Sequence, residues 1–137
     1  MKDPAVTQHP PQNDDEALLA LWDRVGITVR CGYHPFCPCP ARMYLEFTCR
    51  VALRGLRTEA VAQRRALEVL LQTARDEALP TYWRQVCLEY AQLALTRLAD
   101  LLRHSDPVAL EAIHGAVRQA RDLVCAARAD GPHAEPL

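Results

Sequence analysis

The sequence predicts an all-α bundle of about five helices: three long antiparallel helices and two shorter ones. A Cys/His-rich loop lies between helices 1 and 2. Three observations carry this. The composition is dominated by Ala, Leu and Arg, which are the strongest helix formers, while aromatics make up only 6%. Apolar residues recur at helical rather than strand spacing through most of the chain. Proline and glycine fall where helices would begin and end. The chain has 137 residues, half of them apolar and 24% charged. A single domain of this size can bury a sizeable core without disulfides.

Residues 1–12 carry Pro4, Pro10 and Pro11 among polar neighbours and read as a disordered tail. The helical domain is expected over residues 13–130, with a second tail at 131–137. Asn13 and Glu16 form the pattern of a capping box for helix 1. Its stripe is Leu18, Leu21, Trp22 and Val25, and Gly26 reads as its end. Ile27-Thr28-Val29-Arg30 is then expected as an extended arm, and Pro40 as the first residue of helix 2. Tyr44, Phe47, Thr48, Val51 and Ala52 mark the buried face of helix 2, and Gly55 its C′ residue.

Thr58 caps helix 3, whose stripe runs Leu67, Leu70, Leu71, Ala74, Ala78 until Pro80 stops it. Helix 4, from about Tyr82 to Arg103, is apolar nearly all round and is expected to be central. Asp106-Pro107 starts helix 5, with Ile113, Ala116, Val117, Ala120, Val124 and Ala127 in register. Pairing helices 4 and 5 as a hairpin puts Cys87 level with Cys125, so the two are expected as core neighbours.

The candidate site is the stretch Cys31-Gly32-Tyr33-His34-Pro35-Phe36-Cys37-Pro38-Cys39-Pro40. Cys31, His34, Cys37 and Cys39 have the chemistry of a zinc ligand set. One short proline-stiffened loop can hardly close a whole tetrahedron, so Cys49 on helix 2 is a further candidate ligand. An iron–sulfur cluster fits less well, because no ferredoxin spacing is present. Free, reactive thiols are the competing reading of the same residues. His104 and His114 read as helix-end and surface or core residues.

Arg50, Arg54, Arg57, Arg64 and Arg65 form the only basic run. They could grip phosphates or an acidic partner. Sixteen basic against seventeen acidic residues give a net charge of −1, which does not favour nucleic-acid binding by bulk charge. Gly-rich phosphate loops, G-x-S-x-G and H-E-x-x-H are absent, and no catalytic residue is assigned. No transmembrane run and no secretory leader stand out, which points to a cytoplasmic protein with reduced cysteines. The expected function is a small protein-interaction, adaptor or inhibitor module with a structural zinc loop. The alternatives are a metal-dependent nucleic-acid-binding regulator, or a thiol- or metal-handling protein acting through residues 31–39.

Overall fold

The computed structural model describes residues 10–130. These form five helices: α1 (Pro10–Cys31), α2 (Cys39–Leu53), α3 (Glu59–Ala74), α4 (Thr81–Leu102) and α5 (Pro107–Asp130). No strand occurs among the described residues, and no helix there is long and apolar enough to cross a membrane. The expected tails at 1–9 and 131–137 lie outside the described residues, whereas residues 10–12, expected as tail, are helical.

Each helix packs against the next one and also against the next but one. The middle helix of such an order has the most neighbours. α3 touches all four others, and its buried residues (Ala62, Gln63, Ala66, Leu67, Leu70, Leu71, Thr73, Ala74) cover about half of its circumference. The centre is therefore shared: α4, expected to be central, also touches α2, α3 and α5 and reaches α1 through Trp83. α4 buries Trp83, Val86, Cys87, Ala91, Ala94 and Leu98, yet leaves Tyr82 and Leu93 exposed. Its all-round apolar pattern includes a face that no helix covers.

The long helices are α1, α4 and α5, of 22, 22 and 24 residues, while α3 has 16. Helix 3 stops six residues before Pro80 because other groups end it. The Arg84 guanidinium, itself buried, donates from Nε to the Ala74 carbonyl at 2.8 Å. Asp76 then turns the chain, accepting from the Ala78 amide at 3.0 Å.

Helix 1 is longer than expected. It runs through Gly26, and the Ile27–Arg30 arm is helix instead of extended chain. The buried stripe continues in register from Leu18 and Trp22 through Gly26 to Val29. Gly26 is there for close approach: a Cβ at this position would lie 3.1 Å from the Tyr44 ring. The indole Nε1 of Trp22 donates to Thr48 Oγ1 at 2.9 Å, which joins α1 to α2 inside the core.

Thr58 caps α3 through the Val61 amide, and Asp106 caps α5 through the Ala109 amide, both as the sequence implies. Gly55, at φ +73°, is the C′ residue of α2. The Cys87–Cys125 pairing is corrected. Cys87 is fully buried, but Cys125 is exposed, one step round α5 from the buried stripe Val117, Ala120 and Val124.

Candidate functional site in the loop between α1 and α2

The loop begins at Gly32, whose φ of +64° is a left-handed conformation natural to glycine. Its amide donates to the Val29 carbonyl at 3.2 Å, and the Tyr33 amide donates to the Thr28 carbonyl at 3.3 Å. This pair of bonds closes α1 as a Schellman motif. The Val29 carbonyl also accepts from Trp83 Nε1 at 2.9 Å. Since Trp83 is fully buried, the start of the loop is fastened to α4.

A second fastening joins Arg30 to Asp76 at 2.8 Å, tying the end of α1 to the α3–α4 connection. That hydrogen bond, first of all, and the Ala78 amide hold the Asp76 carboxyl below the usual carboxylate range. Further along, Cys37 donates its amide to the His34 carbonyl at 3.1 Å, and Phe36 stacks on Tyr82 with ring centroids 6.2 Å apart. The short loop is thus braced at both ends, while Cys31, Tyr33, His34, Phe36, Cys37 and Cys39 remain exposed.

Cys39, rather than Pro40, is the first residue of α2, and Cys37 lies two residues before it. The neighbouring Cys39, through its backbone first and its thiol second, favours the Cys37 thiolate, and the Arg42 charge adds a lesser effect. Together they lower the Cys37 pKa from the ordinary thiol value, against an opposing effect of burial. The cost falls on Cys39: donating to Cys37, and lying beside its charge, raises its own pKa. Amides at a helix N-terminus stabilise a thiolate in the same way. At the other end of the loop, the Tyr33 hydroxyl is paired with Cys31, which raises the tyrosine's pKa.

The structure therefore brings Cys37 and Cys39 together, and sets Cys31 with Tyr33 instead. Cys49 is ten residues along α2 from Cys39, or ~15 Å at the helical rise. It is half-buried and accepts from Gln63 Nε2 at 3.7 Å. Among the described residues, no three His, Cys, Asp or Glu side chains converge to hold a metal ion. Cys31, His34, Cys37, Cys39 and Cys49, expected as a zinc ligand set, are thus not gathered round one point in this arrangement.

The five candidate arginines do not form one surface. Arg54 pairs with Asp15, and Arg65 pairs with Asp23 at 3.1 Å, so both fasten α1 to its neighbours. Arg65 also lies over the Trp22 ring, and Arg50 over the Phe47 ring. Arg57 Nη1 donates to the Leu56 carbonyl at 2.7 Å. Arg64 lines a separate groove between α3 and α5.

Three features escaped the sequence reading: Arg42 beside the dithiol, the Arg30–Asp76 brace, and Gln63. Gln63 alone had a readable signal, since it falls in register with the buried Ala66, Leu67 and Leu70. No family model, curated protein or solved structure matches this chain.

Proposed function

We propose that the protein is a small helical module that meets a partner protein through the residue 31–39 loop, with Cys37 as its reactive thiolate. The observation that carries this reading is the placement of two exposed cysteines, Cys37 and Cys39, at the start of α2, where the Cys39 backbone and thiol favour the Cys37 thiolate. A low-pKa thiol with a second thiol beside it suits thiol–disulfide exchange. Cys37 attacks a partner disulfide, forming a mixed disulfide and releasing one partner thiolate. Cys39, deprotonated, then attacks Cys37 Sγ, forming the Cys37–Cys39 disulfide and releasing the second partner thiolate. Two electrons pass from the dithiol to the partner, and each released thiolate takes up a proton.

The exposed aromatic residues support a protein partner for the same surface. Tyr33, Phe36 and Tyr82 are 64, 73 and 46% exposed beside the thiols. Such side chains are common anchors at interfaces.

Reaction with an aromatic disulfide reagent such as dithiobis(nitrobenzoate), followed by peptide mapping, tests this. Cys37 should react well before the exposed Cys125 and keep its rate to lower pH, because its pKa is lowered. Cys39→Ser should accumulate the mixed disulfide on Cys37, and Cys37→Ser should abolish the fast phase. Equal rates at Cys37 and Cys125 would overturn the proposal. So would stoichiometric zinc protecting Cys31, His34, Cys37 and Cys39 together, which would restore the structural zinc site after rearrangement of the loop.

A further inference from the structure

A groove of about 520 Å³ lies between α2, α3 and α4, on the α2 side that Arg42 shares with the thiol loop. Its walls include Tyr90 and Leu93, and Arg42 and Arg97 stand beside them. Gln63 and Cys49 also line it. Gln63 is 1% exposed and spends its amide nitrogen on Cys49 Sγ at 3.7 Å. Its Oε1 is buried with no hydrogen-bond partner, the one such side-chain atom among the described residues.

A buried carbonyl oxygen without a donor costs free energy that an apolar residue of similar size would not. Glutamine at this position is therefore a liability to the fold unless something brings a donor. The surroundings say what that something carries. Neither arginine forms an ion pair among the described residues, so both are available to an anion. Glu46 shares the groove and leaves it one net positive charge, which suits a monoanion better than a phosphate dianion. Leu93 is 56% exposed, and with Tyr90 it offers an apolar surface to the body of a ligand. Volume, apolar walls and a few converging polar groups are the usual features of a small-molecule site.

We infer that this groove binds a monocarboxylate with an apolar body and an N–H donor, of the chemical class of an N-acylated hydrophobic amino acid. The carboxylate meets Arg42 and Arg97, the N–H donates to Gln63 Oε1, and the side chain lies on Tyr90 and Leu93. The site does not need the thiol reading, although Arg42 stands between the two: no residue of the 31–39 loop lines the groove.

Titration of the whole protein by calorimetry, with N-acetylphenylalanine as probe, tests the inference. Two matched probes are 3-phenylpropionate, which lacks the N–H, and N-acetylphenylalanine amide, which lacks the carboxylate. Saturable binding of the first, at least tenfold tighter than either of the others, is expected. Gln63→Leu should erase the preference for the N–H donor. Arg97→Glu and Leu93→Asp, at exposed positions that the fold does not need, should each weaken binding at least tenfold. Absence of binding by every probe at millimolar concentration would mean that water alone serves Gln63, and the proposal would fall. Equal binding of all three probes, or binding unchanged in Arg97→Glu, would overturn it as well.

Discussion

Replacing Gly32 by alanine tests how the thiol loop is fastened, and Gly55→Ala is its built-in control. Both glycines close a helix in the left-handed region, at φ +64° and +73°. An L-residue there costs roughly 1–2 kcal/mol, and alanine recovers part of this by restricting the unfolded chain. The backbone contributions of the two substitutions should therefore nearly cancel on comparison. Their surroundings differ. A Cβ at Gly55 meets nothing within 4 Å, whereas one at Gly32 meets Leu79 Cδ2 at 3.0 Å and Trp83 Cδ1 at 3.4 Å. The tight contact is with Leu79, which must give way by a few tenths of an ångström, while the Trp83 ring at 3.4 Å is at ordinary van der Waals distance. Leu79 cannot retreat through Trp83, which is fully buried and whose Nε1 holds the Val29 carbonyl at 2.9 Å. Overpacking typically costs ~1–3 kcal/mol, and the low end applies where the neighbour is a flexible side-chain end. Gly55→Ala should thus lose about 1 kcal/mol, and Gly32→Ala about 2 kcal/mol, in urea unfolding followed by circular dichroism. Indole fluorescence of Gly32→Ala should also change in the native baseline. Equal losses for the two variants would refute the claim that the loop's first residue is clamped on α4.

Two further outcomes follow from titrating groups. Asp76 is held deprotonated by Arg30, so the pair stabilises the fold above the unfolded carboxyl pKa of about 3.9 and ceases to as pH falls through the lower folded value. Asp76→Asn should therefore be less stable than the natural protein near neutrality, and the gap should close on acidification in parallel melts at pH 7 and about 2.5. Burial pushes the Cys87 thiol up to about 12, so it should resist iodoacetamide in the native state while Cys125 labels readily. Peptide mapping that finds Cys87 labelled as fast as Cys125 would contradict the packing around α4.

The sequence was most legible where a local rule acts alone. Thr58 and Asp106 cap helices with their own side chains, and Gly55 ends α2 because nothing else does. It was least legible where two local signals compete and tertiary contact decides. Gly26 and Gly32 are both plausible ends of α1, and the β-branched run between them disfavours helix. Helix prevails because its register keeps Val29 in the core and offers its carbonyl to Trp83, 54 residues away. The same choice decides the site. Once α1 runs to Cys31 and α2 begins at Cys39, each helix end takes one cysteine of the cluster. A Schellman turn then separates Cys31 from the other loop thiols, while Cys37 lies just before Cys39 at the start of α2. Four soft ligands within nine residues are a fact of composition, and convergence on one ion is a fact of backbone path. A helix start beside two of those ligands favours a thiol pair over a four-ligand cage, and the proposed role of Cys37 and Cys39 rests on that path.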